Sequence, residues 1–195
     1  CRERAYFGAG EGIAVKAFLL KEVASIDREQ RRWTGRRYIG LENIESGTGC
    51  IVGDTPVASV KSNTFGFSAH HVLYGRLRPY LNKVLLPDFE GHCSTEIFPI
   101  RAHDELDRRY LWYWLTSGEV VAAIDATCTG ARMPRANMDS VLDLTIPLPP
   151  LEEQRRTVAV LDEAFAAIAT ATANAEKNLA NARELFVNAL GAAFA

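Results

Sequence analysis

Few residues of this 195-residue chain combine a type and a spacing that could do chemistry. His70 and His71 are adjacent and His92 stands apart, with no third ligand at a metal-binding interval, so they read as surface or internally satisfied histidines. Cys1, Cys50, Cys93 and Cys128 form no CxxC pair and no zinc-ligand run. Asp88, Glu90 and Glu96 loosely resemble the carboxylates of a metal-dependent nuclease, but no acidic-x-Lys triplet follows Asp88. Ser68 and Ser94 lack the flanking glycines of a nucleophile elbow. Gly8-Ala9-Gly10-Glu11-Gly12 comes nearest to a nucleotide or methyl-donor loop, and no strand precedes it. The expectation is a chain without a catalytic constellation or a metal site of its own.

Two stretches remain. In Gly75-Arg76-Leu77-Arg78-Pro79-Tyr80-Leu81-Asn82-Lys83, the side chains of Arg76, Arg78, Tyr80, Asn82 and Lys83 are expected to alternate onto one strand face. In Thr129-Gly130-Ala131-Arg132-Met133-Pro134-Arg135-Ala136-Asn137, two arginines and an asparagine sit on a loop. Arginine, lysine and asparagine are the side chains that contact phosphates and base edges. On residues alone each stretch reads either as a nucleic-acid contact or as a solvated edge strand or surface turn.

The elements that must position these stretches are short. Phe18 to Ile26 reads as a short helix or turn feeding a strand, and Tyr38 to Ile44 as a strand closed by the Ser/Gly/Thr turn that follows it. Val57–Val60, Thr64–Phe67, Val72–Arg78, Lys83–Leu86 and Ile97–Ile100 are β-type runs, the last two ended by proline. Tyr110–Leu115 and Glu119–Ile124 suggest a helix pair starting near Asp107. Val141–Ile146 reads as a final strand, and residues 1–12 as a loosely held leader. Many short strands with a few helices predict an α+β domain with a strongly bent sheet.

After Ile146-Pro147-Leu148-Pro149-Pro150 the pattern changes. Three prolines in four positions cannot sit inside a helix. From Leu151 onward there is no proline, one glycine and abundant alanine, which predicts a long helix. Glu152 and Glu153 suit the positive end of its dipole. A seven-residue repeat places Leu151, Val158, Phe165, Thr172, Leu179 and Phe186 on one seam, and Gln154, Leu161, Ile168 and then alanines on the next. This is a coiled-coil face, closely approachable along its alanines. About 40 residues make a rod of roughly 60 Å. Glu176, Lys177, Arg183 and Glu184 are expected to interrupt any apolar run of membrane-spanning length. The division expected is a globular domain over 1–150 and a helical appendage over 151–195.

Charge excludes a globally basic nucleic-acid binder. Lysine plus arginine number 22 against 24 aspartate plus glutamate, a net charge of −2. Any such binding must come from a local patch. The scattered cysteines and the absence of a recognisable signal peptide point to reduced thiols in the cytoplasm. The first residue is Cys1, so a natural start is expected upstream.

The ordered set of motifs resembles the type I restriction–modification specificity subunits. The matching pieces are Tyr38-Ile39-Gly40-Leu41-Glu42-Asn43-Ile44, Val72-Leu73-Tyr74-Gly75-Arg76-Leu77-Arg78-Pro79-Tyr80-Leu81-Asn82-Lys83, Cys93-Ser94-Thr95-Glu96-Ile97 and Tyr110-Leu111-Trp112-Tyr113-Trp114-Leu115. Gly130-Ala131-Arg132-Met133-Pro134-Arg135-Ala136 and Ile146-Pro147-Leu148-Pro149-Pro150-Leu151-Glu152-Glu153-Gln154 complete the series. The usual member carries two target-recognition domains and two helices. This chain has one of each and resembles a half-length form.

The resemblance implies a non-catalytic subunit whose recognition domain reads one half of a split double-stranded DNA target. Its helix would dock modification subunits, which hold S-adenosylmethionine and methylate adenine; a restriction subunit would join to cut. Under that reading Lys61, Arg76, Arg78, Tyr80, Lys83, Arg132 and Arg135 are the expected DNA contacts. Leu151, Val158, Leu161, Phe165, Ile168, Leu179 and Phe186 are the expected partner-helix contacts, and two copies would pair through them. A coiled-coil protein-interaction adaptor without DNA specificity, and a nuclease using Asp88, Glu90 and Glu96, are the alternatives.

Overall fold

The computed structural model describes residues 4–6, 15–57, 60, 62–128 and 132–194. The chain divides into two compact units, Cys1–Arg155 and Arg156–Ala195.

The first unit is α+β and carries three small sheets rather than one. The first orders β1 (Arg4–Tyr6), β2 (Val15–Leu19) and β11 (Thr145–Pro147). The second orders β3 (Ala24–Ile26), β10 (Ile97–Ala102), β7 (His71–Gly75) and β8 (Val84–Leu85), all antiparallel. The third orders β4 (Gln30–Arg31), β6 (Thr64–Phe67), β9 (Gly91–Cys93) and β5 (Arg37–Ile39), with β5 and β9 parallel. The helices are α1 (Leu20–Val23), α2 (Arg108–Thr116), α3 (Gly118–Asp125), α4 (Met138–Leu142) and α5 (Leu151–Ala193). Leu73, Ile97, Ile100, Leu111 and Leu115 are fully buried between the second sheet and the helices. Phe65 of β6 packs on Phe98 of β10 with centroids 5.2 Å apart, joining the second and third sheets.

Local signals explain much of this. Asp107 caps α2 by accepting from the N–H groups of Arg109 and Tyr110 at 2.8 and 3.1 Å, satisfying donors that the first helical turn leaves unpaired. Pro150 ends the proline run by accepting from Glu153 and Gln154, and α5 follows for 43 residues.

Elsewhere tertiary context overrides the local pattern. The strand expected over Tyr38–Ile44 covers only Arg37–Ile39; Leu41–Asn43 is a 3-10 turn. Buried Asn43 holds that turn, its Oδ1 accepting from Gly40 N–H and its Nδ2 donating to the Val52 and Asp54 carbonyls. β10 runs through Pro99 to Ala102 instead of ending at a proline. The Pro99 carbonyl accepts from Asp27, just beyond the end of β3, so the missing proline donor falls where the neighbouring strand has stopped. The strand expected over Val141–Ile146 is mostly helix α4. Asn137 Oδ1 caps it by accepting from Asp139 and Ser140, and the strand is confined to Thr145–Pro147. Part of the expected leader, Arg4–Tyr6, pairs with Val15–Ala17. Val57 bridges Arg37, and residues 58–59 lie outside the described residues.

In the second unit α5 is one uninterrupted helix, about 65 Å long with its first turn included. By length and composition it is apolar enough to cross a membrane, with an 18-residue window of mean hydropathy 1.2. The charges at 176, 177, 183 and 184 do not prevent this as expected, because the alanine, valine and isoleucine content is concentrated N-terminal to them.

Candidate nucleic-acid interface

The fold joins the two basic stretches singled out from sequence. Leu77 bridges Arg135, Arg78 N–H donates to Pro134 O at 2.8 Å, and Ala136 N–H donates to Arg76 O at 2.9 Å. Arg76 and Arg135 thereby converge on one carboxylate. Arg76 Nε donates to Glu96 Oε2 at 2.9 Å. Arg135 grips the same group at both ends, its Nε 3.0 and 3.1 Å from the two oxygens and its Nη2 2.9 Å from Oε1. Partial burial alone would raise the Glu96 carboxyl, but the hydrogen bonds and charges of Arg135 and Arg76 hold it below its usual range. One anion against two cations leaves a net positive charge. The Arg76 guanidinium lies 5.3 Å from the Phe98 ring centroid and that of Arg28 5.8 Å. Arg28, Arg76, Phe98, Arg135, Asn137 and Asp139 line a recess of about 280 Å³, where Arg28 pairs with Asp139 at 2.8 Å.

The other expected contacts separate. Arg76 to Lys83 do not share a strand face. β7 stops at Gly75, and Pro79–Leu81 is a 3-10 turn between two left-handed residues, Arg78 (φ 52) and Asn82 (φ 49). Proline at position 79 fixes φ and lacks a donor, so the chain folds back here, and Gly75 N–H meets Lys83 O at 2.9 Å. Arg78 and Tyr80 are left exposed, and Arg132 is exposed on its loop. Lys83 and Asn82 are turned to internal work: Lys83 Nζ donates to Leu41 O at 2.7 Å and Asn82 Nδ2 to Thr116 O at 2.9 Å. Lys61 lies outside the described residues.

The nuclease carboxylates do not gather. Glu96 is held by its two arginines, Glu90 pairs with Arg36 at 3.3 Å, and Asp88 is exposed. Among the described residues no group of three His, Cys, Asp or Glu side chains is placed to hold a metal. His71 and His92 are buried and satisfied. His71 Nε2 lies 2.8 Å from Asp27 Oδ2, and His92 Nδ1 lies 2.9 Å from Thr64 Oγ1. Asp27 also accepts from Arg101 at 2.6 Å. Burial raises its carboxyl, but Arg101 and His71 together hold it below the usual range.

A third basic element escaped the sequence reading. Five arginines fall within ten residues, Arg28, Arg31, Arg32, Arg36 and Arg37, and that density was the available signal. Two of them, Arg31 and Arg36, flank Trp33, which lies on Gly66, where any Cβ would collide with the indole. Trp33 Nε1 donates to Thr64 O at 3.2 Å. The Arg31 and Arg36 guanidiniums stand 3.7 and 5.0 Å from its ring centroid. Asp27, Arg28, Trp33, Arg36, His71 and Arg101 line a cavity of about 410 Å³. Arg28 borders both this cavity and the Arg76–Arg135 recess.

On α5, Leu151 and Leu161 are half-buried and Val158 is buried, whereas Phe165, Ile168, Leu179 and Phe186 are 54–67% exposed. Gln154 departs from the seam assigned to it. It is fully buried in the first unit, where its side chain meets the backbone of Glu105, Asp107 and Pro149.

Comparison with known proteins gives a consistent picture. A family model described as the type I restriction modification DNA specificity domain matches residues 18–179. The type I restriction enzyme EcoDI specificity subunit of Escherichia coli is 27% identical over 177 residues, which is 90% of this chain and 39% of that protein. The fold is similar to that of the HsdS subunit from Thermoanaerobacter tengcongensis, with a TM-score of 0.65 and 24% identity over 78% of this chain and 42% of that one. It is also similar to the type I restriction–modification S subunit from M. genitalium, with a TM-score of 0.53 and 14% identity over 84% of this chain and 43% of that one. The chain spans less than half the length of each of these relatives.

Proposed function

Because the chain belongs to the type I restriction–modification DNA specificity family, we propose that it is a DNA-recognition component of such a system, with its first unit as a recognition head. The head reads one half of a split double-stranded target. The chain catalyses nothing itself. Methyl transfer belongs to a modification subunit that holds S-adenosylmethionine, and cleavage to a restriction subunit, all acting in the cytoplasm. The rod of α5 separates recognition heads and docks the modification subunit. Two copies pair along its exposed Phe165, Ile168, Leu179 and Phe186, since isologous pairing is the commonest way to close an assembly. A two-fold assembly of identical heads requires a palindromic target interrupted by a fixed spacer.

The observation that carries the reading is the Leu77–Arg135 bridge, which sets Arg76 and Arg135 on one concave, net-positive face. The neighbouring arginines around Trp33 extend that face with side chains suited to phosphates. The adaptor alternative gains nothing from this clustering of cations.

The experiment is methylome sequencing of cells expressing this chain with a cognate modification subunit. Adenine methylation should appear at one interrupted, palindromic motif and vanish when the chain is omitted. Methylation that does not depend on the chain would overturn the reading, and an asymmetric motif would overturn the two-fold assembly.

A further inference from the structure

The two arginines on Glu96 are not held alike. Arg135 is clamped bidentately, so its Nε and Nη2 are both spent on the carboxylate. Arg76 gives Glu96 only its Nε. Among the described residues no acceptor is recorded for its two terminal nitrogens. Its plane is nonetheless fixed from several sides. Glu96 holds Nε, Phe98 lies under the guanidinium, and the backbone is locked through Arg76 N–H to Glu96 O and Ala136 N–H to Arg76 O, both at 2.9 Å. The side chain is about one-third exposed and borders the 280 Å³ recess. A pre-set guanidinium with a free terminal fork matches the paired N7 and O6 acceptors of guanine in the major groove; a phosphate contact would not need such fixation.

We propose that Arg76 is a base-reading residue for guanine, with Glu96 and Arg135 as the positioning residues that hold its guanidinium plane. This rests on the DNA-recognition reading above and assigns one determinant of its sequence preference. Arg135 has a defined part in it: by neutralising Glu96, it keeps the carboxylate from taking up the terminal nitrogens of Arg76 as well. Because Arg135 sits on the Arg132–Asn137 loop, replacing that loop should alter the guanine readout without touching the base.

The test uses the full chain assembled with its modification subunit and a duplex carrying the motif found by methylome sequencing. Guanines of one half-site are replaced singly by 7-deazaguanine, which removes N7 and keeps base pairing. One position should weaken wild-type binding by on the order of 10-fold. In Arg76→Ala the same replacement should cause no further loss, because the group that sensed N7 is gone. Glu96→Gln and Arg135→Ala should shrink the 7-deaza effect at that position while leaving others unchanged, which general destabilisation would not do. A half-site with no specified G·C pair, no sensitive position, or full sensitivity persisting in Arg76→Ala would each overturn the assignment while DNA recognition stands. Failure of the wild-type assembly to bind any duplex would instead remove the reading beneath it.

Discussion

The side-chain amide of Gln154 reaches the backbone of Asp107, its Oε1 accepting from the Asp107 N–H at 2.8 Å. Its Nε2 donates to Glu105 O at 2.9 Å and Pro149 O at 2.8 Å. Asp107 in turn caps α2. One fully buried amide therefore ties the first turn of α5 to the start of α2 and to the end of the proline run.

Gln154→Ala should destabilise the head by about 1–3 kcal/mol or more, because it leaves a donor and two acceptors buried without partners. Gln154→Glu should cost at least as much, since a carboxylate would face the Glu105 and Pro149 carbonyls. Urea unfolding followed by tryptophan fluorescence measures both. An unchanged midpoint in Gln154→Ala would show that the amide does not anchor the helix.

The arginine clasp gives a pH signature. The folded-state pKa of Glu96 lies below its ordinary value of 4.5. Its ionised form therefore contributes stability above that value, and the contribution is lost as pH falls through the lowered folded pKa. The stability gap between wild type and Glu96→Gln should be widest near neutral pH and narrow below about pH 4.5. A gap constant from pH 7 to pH 3 in chemical denaturation would contradict the clasp.

The arginines around Trp33 are expected to contact phosphates rather than bases. Among the described residues, Arg31 and Arg36 pair with the exposed carboxylates Glu29 at 3.7 Å and Glu90 at 3.3 Å, pairs of a kind that contribute little. Replacing Arg31, Arg32 and Arg36 by glutamine should weaken binding to target and random duplexes alike. Each lost contact should reduce the slope of log K against log salt by roughly 0.9. Fluorescence anisotropy between low and moderate salt reads this directly. A slope equal to wild type would place the backbone contacts elsewhere.

Along α5, Phe165 is 55% and Leu179 54% exposed. Burying an aromatic of this size between two copies supplies on the order of 1.5–3 kcal/mol. Phe165→Glu with Leu179→Glu should therefore give monomers and abolish binding to the full interrupted site, while leaving the fold of the head intact. Light scattering decides it: a wild-type chain that is monomeric at micromolar concentration, without modification subunit, would refute self-pairing.

The sequence by itself determined the elements whose causes are local. The proline run forbids a helix before Leu151 and alanine content demands one after it; Asp107 offers a cap to the aromatic helix; the tyrosine, arginine and proline motifs carry the family. What it could not determine was what each polar side chain would meet. Gln154 fits a heptad seam as well as any residue, and only the proximity of the Glu105–Asp107 backbone turns it inward. Pro99 looks like a strand terminator until β3 is seen to end beside it. Asn82 and Lys83 have the chemistry of DNA contacts, yet the backward fold at Pro79 delivers them to the Thr116 and Leu41 carbonyls. Arg76 and Arg135 could be recognised as basic, but their convergence on Glu96 depends on a bridge between distant segments. The physical reason is common to all four: backbone propensity acts over a few neighbouring residues, whereas a hydrogen bond or ion pair depends on which distant backbone or charge the tertiary fold brings within about 3 Å.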